Sequence, residues 1–466
     1  MKNSILILSL VKCLFFFSQE FPINLNDYLI QNHIPGISIL IIKNGTPIWS
    51  ANHGYLNVDE QIPVQNGSNF MLASVSKTIT SVALMNEFEN GSFQLDDPIN
   101  NYLPFTVKIP NYVTQEITFK HLLTHTSSIE DNWDVLSTYY VQGDSPISLS
   151  SYLQNYLTIS GDNYNAVDNF HNNAPGTYSD YSNVGSALCG LLVESITSIP
   201  FHQYCKDSIF TPLCMENTSW FLNGMNLEQL ALPYYFENNE FISYGHYGYP
   251  DYPDGQLRSN AIELGRFLTM FMNNGKYQNS RILDSSTVDK MKTVYFPNLD
   301  PTQGLIWYKN ISNGKTLWGH NGGDDGVSTD MYFNETDSVG IILLTNGELE
   351  DSQPLIDSLF EFAELFEVQN HNSYPCGNIL FYTPIYQNTT DKIKIFPNPF
   401  SEQLFIQKNN QDSMNMSIHS LDGKTILNET FNEELKILNL GNFSNGIYSL
   451  IIKSKENTEI FKIVIE

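Results

Sequence analysis

Positive charge is scarce in this chain: 23 Lys and Arg stand against 50 Asp and Glu in 466 residues, a formal net charge of −27. A nucleic-acid binder needs a cationic face to neutralise phosphates, and adhesion to anionic lipid needs the same, so the composition argues against both. Cysteine is sparse too, with five in all and no Cys-x-x-Cys pair or finger-like spacing, which argues against a zinc site. No segment after the first residues is long and apolar enough to cross a bilayer. There is no internal repeat and no Gly-x-Ser-x-Gly, which removes the strained nucleophile elbow on a strand-to-helix turn. What is present is a folded-protein composition, 41% hydrophobic and 13% aromatic, in a length that suits two or three domains.

Lys2 precedes an apolar stretch, Ile5 to Phe17, broken by Lys12 and ending near Ser18-Gln19-Glu20. Such a stretch is too short to span a membrane and fits an export signal over residues 1–19. Lys12 directly before Cys13 does not suit a lipid-bearing cysteine. Export would permit disulfides among Cys189, Cys205, Cys214 and Cys376, but their spacing does not give the pairing, and Cys189 reads as a buried apolar side chain on a helix.

From Val368 to Thr390 the chain has no charged residue and carries Pro375, Gly377 and Pro384, which places a linker at 368–390 between a body at 20–367 and a tail at 391–466. The tail holds ten acidic and eight basic residues, so nearly all the excess negative charge lies upstream. It predicts a small all-β sandwich, with strands at Lys392–Phe396, Gln403–Gln407, Met416–Ser420, Ile447–Lys453 and Glu459–Ile465. The body predicts an α+β fold. A hairpin, Gly36–Lys43 and Pro47–Gly54, turns at Asn44-Gly45, and strands return at Thr316–His320, Ser328–Asn334 and Val339–Thr345. Helical periods at Val75–Glu89, Val184–Ile196 and Ile262–Met272 fall between, so one antiparallel sheet is expected with helices flanking it and a helical region inserted.

Chemistry centres on Ser74-Val75-Ser76-Lys77. Residues i and i+3 share a helix face, so Lys77 can lie beside Ser74 at the start of a helix, where free N–H groups favour developing negative charge. A serine needs a base, and a desolvated lysine can serve. By itself the pattern is weak, since Ser9/Lys12 and Ser312/Lys315 repeat it. Two further motifs strengthen it. Tyr181 and Asn183 stand two apart at the entrance to the helix at Val184, and Trp318-Gly319-His320-Asn321-Gly322-Gly323-Asp324 ends a strand with glycines that let backbone approach a ligand.

With these motifs the chain resembles the serine β-lactamase/penicillin-binding superfamily, in its class C β-lactamase-like branch with D-peptidases and esterases. Ile34-Pro35-Gly36, Lys120-His121-Leu122-Leu123-Thr124-His125-Thr126-Ser127, Ile209-Phe210-Thr211-Pro212-Leu213 and Asp254-Gly255-Gln256-Leu257 extend the resemblance over residues 24–350. It implies an exported serine hydrolase without cofactor or metal, acting through an acyl-enzyme on a small-molecule or peptide substrate: a D-amino-acid peptide amide or ester, or alternatively a β-lactam. Ser74 would be the nucleophile, Lys77 its partner base and Tyr181 the proton-shuttling phenol. Asn183, His320, Asn321 and Gly322 would bind substrate, and the N–H groups of Ser74 and Gly323 would form the oxyanion hole. Lys77 is expected to lower the Tyr181 pKa and desolvation that of Lys77, with the base between the two left open. His320 stands where β-lactamases of this branch usually carry Lys, so grip on a substrate carboxylate is expected to strengthen as pH falls toward 6. Ser128 and Cys214 stand where glycine is common.

The tail resembles the type A sorting domain of the type IX secretion route, through Pro397-Asn398-Pro399, Gly423-Lys424 and Gly446-Ile447-Tyr448. That implies a secreted or cell-surface protein with the secretion machinery as a partner; an unrelated adhesive or carbohydrate-binding sandwich is the alternative. Two readings compete elsewhere. His121 and His125 could face a metal, but the zincin Glu is missing. The Tyr-rich segment 234–252 either walls the cleft or packs on itself. A catalytically idle relative binding peptidoglycan fragments or a protein is the alternative of another class.

Overall fold

A computed structural model describes residues 21–366, Cys376 and, from 393 to 465, all but 397–402, 409–412, 421–423, 434, 442, 445 and 454–457. The expected export signal, and the expected linker apart from Cys376, lie outside these residues. The chain divides into two compact units, residues 1–382 and 383–466.

The first unit is built on one antiparallel sheet of seven strands. In chain order these are β1 (Gly36–Lys43), β2 (Thr46–Asn57), β3 (Ile62–Pro63), β4 (Tyr308–Ser312), β5 (Lys315–Asp324), β6 (Val327–Asn334) and β7 (Val339–Thr345). In space they run β4-β5-β6-β7-β1-β2-β3, so the last strand of the body closes on the first, Ile37 facing Thr345 and Lys43 facing Val339. The sheet expected from the two strand clusters is thus one continuous sheet, its halves joined at β1 and β7.

Burial explains why β1 reads as an unbroken apolar run. Successive side chains of a strand point to opposite faces, and here both faces are covered. Leu40 and Ile42, with Ile342 and Leu344 of β7, join the main core under the helices. Ile37, Ile39 and Ile41, with Ile341 and Leu343, pack on the other face against α1 (Leu25–Gln31) and α6 (Gln353–Glu364). The main core gathers α2 (Ser76–Glu89), α3 (Phe119–Leu123), α4 (Asn183–Thr197) and α5 (Ala261–Met272).

Helix α2 departs from the amphipathic stripe its sequence suggests. Its polar residues Ser76, Lys77, Thr78, Thr80 and Ser81 are buried along with Ile79, Val82 and Met85. A helix covered all round sits inside the domain, and its hydroxyls are satisfied on backbone carbonyls, Thr78 on Val75 and Ser81 on Thr78. Val75 lies in a 3₁₀ turn, Ala73–Val75, that precedes the α-helix.

Ser128 and Cys214 both adopt left-handed backbone, φ 65° and 55°, the conformation that explains glycine at such turns. Cys214 is bonded to Cys376, while Cys189 and Cys205 are buried free thiols.

The second unit has two sheets, one of Lys394–Phe396, Gln403–Gln407 and Leu435–Asn439, the other of Thr425–Phe431, Met414–Ser420, Gly446–Lys453 and Thr458–Ile465. Leu404, Ile406, Ile418, Leu450 and Ile463 fill the core of this unit. Thr425–Phe431 and Leu435–Asn439 were not expected as strands. They are mostly exposed edge strands, so polar residues blur the period of two.

Candidate active site

The turn carrying Ser74 is pinned from two sides before any catalytic group is considered. Leu72 donates its N–H to Leu257 O at 2.8 Å, and its own carbonyl accepts the Thr329 hydroxyl of β6 at 2.7 Å and Val75 N–H at 3.3 Å. Ala73 is held in left-handed backbone, φ 45°, a local strain that persists because its neighbours are fixed. Ser74 N–H meets no acceptor among the described residues and stays available to an external oxygen.

One helical turn on, Lys77 is 1% exposed, and its three donors are all used. Nζ donates to Ser74 Oγ at 2.9 Å, to Asn183 Oδ1 at 2.6 Å and to the Asp254 carbonyl at 2.7 Å. Three acceptors around one nitrogen are the geometry of an ammonium. Burial alone would drive its pKa down, as the sequence suggests. Tyr181, Asp254 and Asp131 more than offset that, and the net direction is upward. The expectation for Tyr181 reverses as well: although the residue is 42% exposed, desolvation within the cleft outweighs the pull of Lys77, and its pKa rises. The resting pair is therefore a lysine cation 4.9 Å from the ring centre of a neutral tyrosine whose hydroxyl interacts with Lys77 and Ser74.

Asp131, which sequence reasoning missed, holds the Tyr181–Asn183 segment. Its carboxylate accepts Asn183 N–H at 2.8 Å, Val184 N–H at 3.0 Å and the Ser182 hydroxyl at 3.3 Å. A carboxylate against the free N–H groups that open α4 is favoured by the helix dipole. His125 accepts Ser182 N–H on Nδ1 at 3.2 Å, and its ring lies 4.5 Å from that of Tyr181. His121 instead closes a capping box on Thr118. The two histidines thus serve separate local tasks, and no metal-holding cluster occurs among the described residues.

Strand β5 brings the third motif to Ser74. A Cβ on Gly322 would lie 2.5 Å from Leu72 O and 2.9 Å from Ser74 N, so only glycine lets the strand reach this turn. Gly322 lines neither cavity beside Ser74, which gives it a packing position rather than a place on the cleft wall. Asn321 N–H donates to Tyr308 Oη on the β4 side at 3.2 Å. Alternate N–H groups of a strand point the same way, so Gly323 N–H faces that same edge, where β4 no longer pairs and Ser74 lies. Asn321 is exposed, and its Oδ1 accepts the Tyr308 hydroxyl at 2.6 Å.

His320 corrects the sequence reading. It is 2% exposed, and burial together with nearby Lys77 holds its pKa down at about 3. A histidine with so depressed a pKa stays neutral from pH 8 to pH 5, so no cationic grip on a carboxylate develops as pH falls toward 6. Nδ1 donates to Asn321 O, which leaves Nε2 as a lone-pair acceptor with no partner among the described residues.

The cleft over Ser74 measures about 600 Å³ and is walled by seven carboxyl groups, among them Asp131, Asp251, Asp254 and Asp324, with no lysine or arginine among the described residues that line it. Burial raises the pKa of Asp324 to about 6 and that of Asp251 to about 7. The Tyr-rich segment does both things expected of it: Tyr249 lines the cleft and donates to Asp324 at 3.1 Å, opposite Tyr140 at 3.0 Å, while Tyr244 and Tyr247 pack beside it. Tyr140, Tyr249 and Asp254 arrive from loops with no spacing that would have marked them as neighbours.

This architecture and site define the class. The family model described as Beta-lactamase matches residues 23–363, and the chain belongs to that family. The model for a secretion system C-terminal sorting domain matches residues 394–466. Among curated proteins, the chain is 25% identical over 350 residues to Protein flp of Staphylococcus aureus (strain MW2), a match covering 74% of this chain and 65% of flp. Among solved structures, it is similar to the D-amino acid amidase of Ochrobactrum anthropi SV3, with TM-score 0.59 and 20% identity over 73% of this chain and 96% of that one. It is also similar to the octameric penicillin-binding protein homologue of Pyrococcus abyssi, with TM-score 0.58 and 19% identity over 95% and 97% of the two chains. At such identities the structural likeness speaks for the fold. No single helix among the described residues is long and apolar enough to cross a membrane.

Proposed function

We propose that the chain is an exported serine hydrolase that forms an acyl-enzyme on Ser74, with D-amino-acid amides or esters as its substrate class. The observation that carries this reading is the triple engagement of Lys77 with Ser74, Asn183 and the Asp254 carbonyl, with the Tyr181 ring 4.9 Å from the same nitrogen. In this reading Lys77 enters as a cation, and Tyr181 moves the proton. As Ser74 Oγ attacks the carbonyl carbon, its proton passes to Tyr181 Oη while the Tyr181 proton passes to the leaving nitrogen or oxygen. The tyrosine thus needs no phenolate, and Lys77 balances the charge on the carbonyl oxygen held by the N–H groups of Ser74 and Gly323. Water then attacks the ester by the same path in reverse.

The likeness to D-amino acid amidase favours amides and esters of D-amino acids, and the neutral His320 weighs against carboxylated β-lactams. The domain order, in this reading, is an export signal at 1–19, the hydrolase at 20–367, a linker at 368–390 and a sorting tail at 391–466 that engages the secretion machinery and delivers the protein to the cell surface or beyond. A fluorophosphonate probe tests the chemistry: it should label Ser74, and Ser74→Ala should abolish labelling. A folded protein that never labels would instead be the idle, ligand-binding relative. A panel of D-phenylalanine p-nitroanilide, p-nitrophenyl esters, D-Ala-D-Ala peptides and nitrocefin then ranks the substrates.

A further inference from the structure

Of the carboxyl groups in the cleft, Asp254 has a place that the mechanism does not use. It ends the 3₁₀ turn Tyr252–Asp254, is 6% exposed and lines the cleft with Asp251, three residues earlier. Its backbone carbonyl is taken by Lys77, but no donor among the described residues reaches its carboxyl group. Lys77 favours the charged form of this carboxyl from nearby but gives it no hydrogen bond, because all three of its N–H groups are committed elsewhere. The other acids are better placed: Asp131 takes two backbone N–H groups and a hydroxyl, and Asp324 takes two tyrosine hydroxyls. A buried carboxyl that opens on a cavity with no donor is costly unless a ligand supplies one.

We infer that Asp254, with Asp251 beside it, seats a primary ammonium carried by the acyl part of the substrate, so that the enzyme selects substrates with a free amino group and rejects those with a carboxylate there. The inference rests on the proposed hydrolase reading and names the substrate feature that the same cleft selects. One further observation agrees. Burial and Asp251, with Asp131 and Asp324 behind them and against the pull of Lys77, hold the Asp254 carboxyl well above its usual range, a penalty that a ligand cation relieves.

The test uses the full chain and the rate of fluorophosphonate labelling at Ser74, with 2-phenylethylamine or 3-phenylpropionate as competitor. The inference expects the amine to slow labelling at concentrations where the carboxylate has no effect. It also expects N-acetylation of a D-phenylalanine ester to lower kcat/KM by about 30-fold or more. Equal protection by both competitors, or none by the amine, overturns the inference while leaving the hydrolase reading intact. Absence of any labelling overturns the hydrolase reading instead. Asp254→Asn removes the charge and keeps the carbonyl that holds Lys77, so protection by the amine, measured against that variant's own unprotected rate, should weaken by about 30-fold; unchanged protection counts against the assignment.

Discussion

Gly322 and Gly323 are neighbours in the third motif, and the structure expects opposite outcomes when each becomes alanine. At Gly322 the added Cβ meets Leu72 O and the Thr329 hydroxyl at 2.5 Å and Ser74 N at 2.9 Å, whereas at Gly323 it meets nothing within 4 Å. Ordinary carbon contacts begin near 3.5 Å, so the strand or the Ser74 turn must retreat by about 1 Å. Two of the obstructing atoms are backbone, and the turn is tied to Leu257 and Thr329, so the strain has no flexible side chain to absorb it. Overpacking of this kind costs about 1–3 kcal/mol in stability. If Ser74 acts as proposed, a 1 Å displacement of its Oγ and N–H costs about 100-fold in rate. The assay pairs thermal unfolding with the fluorophosphonate labelling rate. Gly322→Ala should lose both, the rate by about 100-fold, while Gly323→Ala should unfold within a degree or two of the parent. A Gly322→Ala protein that labels at the parent rate would refute the claim that β5 and the Ser74 turn touch through a glycine.

Lys77→Ala strips the donor from Ser74 Oγ, Asn183 Oδ1 and the Asp254 carbonyl, and labelling should fall by about 1,000-fold or more with the protein still folded; near-parent labelling would remove Lys77 from the mechanism. The depressed pKa of His320 predicts a ring that stays neutral from pH 8 to pH 5, so its ring resonances, assigned by their loss in His320→Gln, should not titrate across that range; a midpoint inside it would overturn the assignment. Reduction of the Cys214–Cys376 bond, which spans 162 residues, should lower stability by up to about 5 kcal/mol on the chain-entropy account, read as a lower denaturant midpoint in dithiothreitol. Removing residues 391–466, nearly all of the second compact unit, should leave kcat/KM of the purified body unchanged while abolishing export.

The parts of the site that obey local rules were legible in the chain. Ser74 and Lys77 meet because three residues of helical winding bring them together, and Asn183 meets them because it opens a helix packed against α2. The sheet was legible from strands whose apolar residues run unbroken where both faces are buried, as in β1. What long-range packing decides was not. His320 looks like an ordinary titrating histidine until burial beside Lys77 is known; desolvation likewise reverses the direction expected for Tyr181, while Tyr181, Asp254 and Asp131 reverse that of Lys77 against its burial. Asp131 and Asp254 lie in loops with no period, and only the closing of the fold sets one under Asn183 and the other beside Lys77. In the second unit, edge strands with polar outer residues escaped the alternation rule that found their neighbours.

The central claim is a covalent bond between Ser74 Oγ and the acyl group of a substrate. Acid-quenching the enzyme during turnover of a D-phenylalanine p-nitrophenyl ester, followed by peptide mass spectrometry, tests it directly. The account predicts the mass of one D-phenylalanyl group on the peptide that holds Ser74, and none in Ser74→Ala. Turnover with that peptide unmodified at every quench time, or with the acyl group on another residue, would contradict it.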